Sequence, residues 1–451
     1  MPARIIPAMS LPPERMQQFE AMRESARSIF LQALNEASIS RGFSRHLECE
    51  RGVLRICEDL YNLHSYSSVL VVSLGKAGHT MVEALSQQVG ESLEGIIATS
   101  VEPASQVRGF RYFRGGHPTP NAESIAAANS MLRAVEAQAA SSLVIFLLSG
   151  GGSSIVEKPI DDEIPLDDLI ATYRALVYSG APIAEINTVR KHLSAVKGGR
   201  LAQAAFPAQQ VSLLVSDVPD STPDALASGP TLPDSTTVED CYRVAEKYDL
   251  LPQLPQSTRE LFERHALEET PKSDDPAFTR ARWWTVLSNQ TAIDEASIVA
   301  ERAGFIVNVD NGCDDWDYQK AAEYLLQRLR ELRQQCSPVC LISGGEVTVK
   351  VTGGGGVGGR NQQFALACAR KIAGENITVL SAGTDGVDGN SPAAGAIVDG
   401  STFERAQNMG LDLLKSLEKF DAYPLFQAIG DAIETGPTGN NLRDLRILLA
   451  Y

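Results

Sequence analysis

At 451 residues, 43% of them hydrophobic, the chain is long enough for a large buried core and too long for one ordinary domain, so two domains are expected. Lys and Arg total 40 against 56 for Asp and Glu, and the net charge of −16 repels nucleic acid and anionic membrane, so basic residues near a glycine loop are local equipment. Seven scattered cysteines (Cys49, Cys57, Cys241, Cys313, Cys336, Cys340, Cys368) are expected as reduced thiols, no apolar run approaches a membrane span, and Glu14, Glu20 and Glu24 argue against a transit peptide, so a cytoplasmic location is expected.

After Pro12 and Pro13, the apolar residues Met16, Phe19, Met22, Ala26, Ile29, Phe30 and Ala33 recur mostly at three- and four-residue steps and predict an amphipathic helix. Then "SVLVVSLGKAGHTMVEAL", "SLVIFLLSGGGSSIVE" and "VSLLVSDVPDSTPDALASGP" each place a continuous apolar run before a small-residue loop and a helical pattern. Strands without alternation are buried on both faces, which predicts a parallel sheet covered by helices. The expected fold class is therefore α/β: a doubly wound, mostly parallel, Rossmann-like first domain over residues 1–265, with its ligand beyond the C-terminal ends of the strands. "ALEETPKSDDPAFTR", residues 266–280, is charged, contains proline, lacks an apolar period and is expected to be a linker. A second, smaller α/β domain is expected over 281–451, with "EVTVKVT" as a half-exposed hairpin strand and "LRILLAY" as a strand that could return to either domain.

Lys76 follows a buried strand at the start of a helix, where an ammonium is unfavourable against the helix dipole unless an anion is present. In "LLSGGGSS", Gly150, Gly151 and Gly152 free the backbone after Ser149, and Ser153 and Ser154 add hydroxyls at a helix start. If "NTVRKHLSAVKGG" is helical, Arg190 and Lys197 share a face and can converge on one anion. Asp217 ends a strand, a frequent place for a carboxylate that meets metal or substrate. The loop "TGGGGVGGRNQQFALA", residues 352–367, satisfies the dinucleotide spacing at Gly353, Gly355 and Gly358, but the alternating stretch before it is not a buried Rossmann strand and no suitable acid follows. What remains is backbone able to approach an anion closely, with Arg360 as a forked cation. In "GTDGVDGN", Asp385 and Asp388 could hold Mg²⁺ while leaving waters for phosphate oxygens. The alternatives are a solvated lysine, tight glycine turns, a basic helix face and an Asp-Gly turn. His79, His117 and His192 read as structural, and no Walker sequence occurs. Together these elements suit phosphoryl transfer better than acyl or hydride transfer.

The motifs "GKAG", "GGHPTPNAES", "LLSGGGSS", "NTVRKHLSAVKGGRLA", "SDVPDSTPDALASGPTLPD", "SGGEVTV", "GGRNQQ", "GTDGVDG" and "TGPTGNNLRDL" occur in this order. As a set they closely resemble the glycerate 2-kinase family, the class whose C-terminal domain is called MOFRL. The resemblance implies phosphorylation of D-glycerate at its 2-hydroxyl with ATP and Mg²⁺, in a cleft between two domains. It implies Lys76, Arg360 and Asp385 as the principal catalytic residues. Lys76 and Arg360 would stabilise charge on the phosphoryl group, and Asp385 would orient or deprotonate the hydroxyl or hold Mg²⁺ with Asp388. Ser149, Gly150, Gly151, Gly152, Ser153, Gly355 and Gly358 would cradle phosphate, and Arg190, Lys197 and Asp217 would meet the substrate. Partners would be small molecules, with a homodimer as the working expectation for assembly. The sequence departs from the family at Gln363, where a glutamate is usual, and at Pro219, Asp220 and Ser221, where Val-Gly-Asp is common. An NAD(P)H-dependent hydroxypyruvate reductase, a label some relatives carry, and a noncatalytic anion-binding protein are the alternatives.

Overall fold

The computed structural model describes residues 12–90, 93–351 and 353–451. The chain forms two compact units, one of residues 39–288 and the other of the N-terminal stretch to Ser38 together with Asn289–Tyr451.

The 39–288 unit opens with helix Ile39–His46, followed by an antiparallel meander, β1 (Leu47–Glu50), β2 (Val53–Ile56) and β3 (Asp59–Asn62). Six parallel strands follow: β4 (Ser68–Leu74), β5 (Glu94–Thr99), β6 (Phe110–Arg114), β7 (Ser142–Ser149), β8 (Gln209–Val215) and β9 (Ala281–Leu287). Their order, β6-β5-β4-β7-β8-β9, is the doubly wound one, with the direction of winding reversing between β4 and β7. Every residue of β7 is buried, which is why its sequence does not alternate. On one face Val72, Leu74, Val144, Phe146 and Leu148 pack against Ala127, Ala128, Met131 and Val135 of helix Ala122–Glu136. That helix starts at a reciprocal capping box between Asn121 and Ser124.

The expected boundary is displaced. Residues 266–280 are part of this unit rather than a linker. Leu267, Ala277 and Phe278 are buried, the Thr270 hydroxyl donates to Asp234 Oδ2 at 2.9 Å, and Asp234 N–H donates to the Pro271 carbonyl at 3.0 Å. Their spacing follows no helix or strand period, so the composition resembled a linker. The run "WWTVL", expected to open the second domain, belongs to β9, the sixth parallel strand of the first sheet.

The other unit begins with helix Pro13–Glu36, which carries proline at its first position. The amphipathic face predicted from the sequence is present, but it does not cover the Rossmann-like sheet. Met22, Ala26, Ile29, Phe30 and Ala33 pack on Ile293, Ala296 and Ala300 of helix Asn289–Arg302 and on Ile342, Leu380 and Ile447 of the second sheet. That sheet contains β10 (Ile306–Val309), β11 (Val339–Ser343), β12 (Ile377–Gly383), β13 (Gly395–Asp399), β14 (Ala432–Ile433) and β15 (Asp444–Ala450), ordered β10-β11-β15-β12-β13-β14. Only the β10/β11 pairing is parallel. The terminal "LRILLAY" thus returns to the middle of this sheet, and all seven residues of β15 are buried. Its other face meets helices Tyr318–Gln335 and Arg360–Lys371 through Leu325, Leu329, Phe364 and Cys368. Over its described residues, 346–351, the stretch "EVTVKVT" is no hairpin strand: Thr348 bridges to Asp317, while Val347 packs into the core. Its alternation marks no buried face, since burial fades from Val347, in the core, to Val351, which is exposed. No described helix is long and apolar enough to cross a membrane.

Candidate functional site

In the 39–288 unit, the loops leaving β4 and β7 meet at the switch point. Lys76 N–H donates to the Gly150 carbonyl at 2.9 Å, and Ala77 N–H donates to Ser149 Oγ at 3.1 Å. Gly75 has φ +119, and any Cβ there would overlap the Ser149 hydroxyl and carbonyl, so glycine permits the close approach. A Cβ on Gly151 would lie 3.1 Å from Lys76 Cγ and 3.0 Å from His117 Cδ2, and one on Gly150 would overlap Asp217 Oδ2. Four loops therefore bring Lys76, His117 and Asp217 to Gly150 and Gly151.

Lys76 is exposed, and its ammonium has no partner among the described residues. The N–H groups of Gly151, Gly152 and Ser153 are not used in turn or cap hydrogen bonds among those residues. Unsatisfied amides beside an unpaired cation form an anion-binding concavity. The Ser153 hydroxyl lies 2.6 Å from that of Ser228, whose backbone, like that of Ala227, is in the left-handed region. Ser149 is a correction. It is buried, and its hydroxyl braces the Lys76 loop instead of facing a ligand.

His117 was read as structural, yet it is exposed beside Lys76; partial desolvation foremost, then the lysine charge, holds its imidazole below the usual histidine range. The position of "GGHPTP" directly after β6, at the same sheet end as the glycine loop, was the available signal. His79 and His192 do serve as structural residues. His79 Nδ1 lies 2.8 Å from the Tyr112 hydroxyl, and His192 is buried between the Thr188 carbonyl and Glu269.

Arg190 and Lys197 do not share a helix, because helix Ile183–His192 ends before Lys197. They still converge, on Tyr173, whose ring centroid lies 4.7 Å from the Arg190 guanidinium and 5.5 Å from Lys197 Nζ. The anion there is the chain's own Glu157, fully buried, bonded to Lys197 and held at 2.6 Å by both the Tyr173 and Ser194 hydroxyls. Burial lowers the proton affinity of Lys197 and Glu157 offsets part of that. At 1% exposure Lys197 cannot also meet a substrate. Arg190 differs, since it is half-buried and its Nε is buried without a partner.

The second cluster lies in the other unit, at the ends of β11, β12 and β15. Arg360, first residue of helix Arg360–Lys371, donates from Nε to Asp444 Oδ2 at 2.8 Å, and from Nη2 to Asp444 Oδ1 at 3.2 Å and Glu346 Oε1 at 2.7 Å. Burial opposes its charge, but Asp444 foremost and then Glu346 keep the guanidinium firmly protonated. Asp385, half-buried after β12, accepts Val387 N–H at 3.1 Å. A Cβ on Gly383 would lie 3.0 Å from Asp385 Oδ1 and 3.5 Å from Asp444 Oδ1, so both carboxylates gather near Arg360.

Asp388 does not fit a metal site. It is buried, and its two oxygens accept the N–H groups of Asn361 at 3.1 Å and Gln362 at 2.9 Å. The anion at this helix N-terminus is Asp388 itself, with its pKa pushed up to about 7 by burial despite those hydrogen bonds. Among the described residues, no three His, Cys, Asp or Glu side chains gather closely enough to hold a metal. Gly355 and Gly358, expected to cradle phosphate, are exposed and half-buried in the loop before Arg360, and the first amides of the helix that follows are occupied by Asp388. Gln363 is buried, and its Nε2 donates to the Leu417 carbonyl at 2.6 Å. An amide suits that acceptor, and a carboxylate would be repelled.

The chain matches two family descriptions, "Domain of unknown function (DUF4147)" over residues 25–263 and "MOFRL family" over residues 339–444. A protein of Thermotoga maritima named D-glycerate 2-kinase is 38% identical over 386 residues, spanning 84% of this chain and 90% of that protein. One of Agrobacterium vitis, provisionally named a hydroxypyruvate reductase, is 36% identical over 387 residues, spanning 84% and 86% of the two chains. A crystal structure described as glycerate kinase from Thermotoga maritima superposes with a TM-score of 0.84 at 34% identity, covering 96% of this chain and all of that one.

Proposed function

Since the chain belongs to the MOFRL-domain glycerate 2-kinase family, we propose that it is the kinase that transfers the γ-phosphoryl group of ATP to the 2-hydroxyl of D-glycerate, giving 2-phosphoglycerate and ADP. The observation that carries this reading is the unpaired Lys76 ammonium beside the unused amides of Gly151, Gly152 and Ser153, at the switch point of a doubly wound sheet. Such a concavity neutralises phosphate oxygens, and phosphoryl transfer through a loose transition state requires mainly positioning and charge stabilisation.

In this reading Lys76 and the glycine amides hold the transferring phosphate, and Arg360 opposes the charge that develops on it. Asp385 orients the glycerate hydroxyl and takes its proton as the new O–P bond forms and the bond to the ADP oxygen breaks. Arg190, which unlike Lys197 has no carboxylate partner among the described residues, is the candidate for the glycerate carboxylate. Where Mg²⁺ accompanies the nucleotide, Asp385 would be the member of the predicted pair left to hold it, a role alternative to that of base, and the ion would supply neutralisation of phosphate charge.

The test is ADP release with ATP, Mg²⁺ and D-glycerate, with the product identified by ³¹P NMR. Formation of 2-phosphoglycerate is expected. NADH oxidation by hydroxypyruvate without ADP release would replace the proposal with the reductase reading. That alternative loses the dinucleotide spacing read from the sequence at Gly353–Gly358, since residues 346–351 form no strand before that loop and Asp388 fills the N-terminus of the helix after it.

A further inference from the structure

Arg360 owes its orientation to two carboxylates distant in sequence. They are not equivalent. Asp444 engages the guanidinium side-on through Nε and Nη2, whereas Glu346 takes a single bond from Nη2. The Asp444 side chain is 1% exposed and that of Glu346 is 29% exposed. Asp444 is the first residue of β15 and pairs in register with Gly383 of β12, so its backbone is fixed by the sheet. Glu346 stands in the irregular stretch after β11. A carboxylate buried this deeply is costly unless paired, so Asp444 and Arg360 hold each other in one geometry. The side-on pair leaves Nη1 of Arg360 without a hydrogen-bond partner among the described residues. A bidentate fork restricts the guanidinium plane as a single contact does not.

We propose that Asp444 is the positioning residue of Arg360, fixing the guanidinium through Nε and Nη2 so that Nη1 is presented to the transferring phosphoryl group, with Glu346 as the looser, exchangeable partner. This rests on the kinase reading. Asp444 acts through Arg360 and does not touch the reacting atoms.

The test compares Asp444→Asn, Glu346→Gln, Arg360→Lys and Arg360→Ala in the full-length protein, with thermal unfolding as the check on folding. Asp444→Asn should lower kcat about 100-fold with KM values changed less than about threefold, while Glu346→Gln loses less than about tenfold. Arg360→Lys, which keeps a charge for Asp444 but no fork, should lose kcat as Asp444→Asn does, and it serves if the latter fails to fold. Added guanidinium should restore Arg360→Ala at least about tenfold and should not restore Arg360→Ala/Asp444→Asn, a difference that a merely structural Asp444 would not produce. Wild-type kcat in Asp444→Asn or Arg360→Lys, or equal rescue of the single and double variants, would overturn the proposal. Absence of glycerate-dependent ADP release from the wild-type protein sinks the kinase reading instead. The clamp is then still tested by the slowly exchanging Arg360 Nε–H signal in ¹⁵N-arginine-labelled protein: its presence in wild type and loss in Asp444→Asn support the clamp, and its persistence removes it.

Discussion

The glycine loops of the two units end differently. At Gly150–Gly152 the amides of Gly151 and Gly152 have no turn or cap acceptor among the described residues, and Lys76 stands beside them without a counterion. At Gly353–Gly359 the loop leads into a helix whose first amides are already taken by Asp388, and the cation at its start is already paired with Asp444 and Glu346. Glycine richness supplies backbone access in both. Whether the access is open to a ligand depends on whether a carboxylate of the chain takes the amides themselves, as Asp388 does at the second loop, whereas at the first Asp217 lies against Gly150.

The most severe test of this contrast is Lys76→Ala, expected to lower kcat about 1,000-fold, on the order of 4 kcal/mol of transition-state stabilisation, with unfolding temperature unchanged because the side chain is exposed. Turnover within a factor of a few of wild type would show that the open loop is not the phosphate site. Within the capped helix, Gln363→Glu should destabilise by about 2 kcal/mol, because a donor to the Leu417 carbonyl becomes a buried acceptor. Denaturant unfolding measures it, and a neutral result would mean that the site admits water.

Glycine substitutions compare the loops directly. Gly151 has φ +80 and close neighbours, so Gly151→Ala should cost about 1 kcal/mol and raise the ATP KM about tenfold. Gly354 has nothing within 4 Å of an added Cβ, and Gly354→Ala should leave both quantities within about twofold. Equal effects at the two positions would erase the distinction.

The smallest effect concerns pH. The Asp388 pKa is pushed up to about 7 in the fold, against about 3.9 for an unperturbed aspartate. The folded state therefore binds the proton more tightly than the unfolded one, and this contribution to stability, fully present below the unfolded value, is lost as pH rises through about 7. Asp388→Asn, which mimics the protonated acid, should flatten the change of Tm between about pH 5 and 8 relative to wild type. Parallel Tm profiles would mean that Asp388 is ionised throughout.

Much of the architecture was legible. The apolar runs around Val71, Leu147 and Leu213 have no alternation because helices cover both faces of their sheet, and the stripe from Phe19 to Ala33 predicted its helix. The boundary near 266–280 was not legible, since Thr270 and Leu267 are buried by contacts that follow no local period. Nor was the partner of the first helix, because an apolar stripe specifies burial but not against which sheet.

The site divided along the same line. Lys76, Gly150–Gly152, Arg360 and Asp385 stand where strands end and helices begin, positions set by short-range sterics and apolar spacing that the sequence displays by itself. Asp388 is 26 residues from the amide that it caps, Lys197 is 40 from Glu157, and Asp444 is 84 from Arg360. Which charges are already neutralised, and so which remain for a ligand, is set by through-space contact between distant segments; only the tertiary structure decides that.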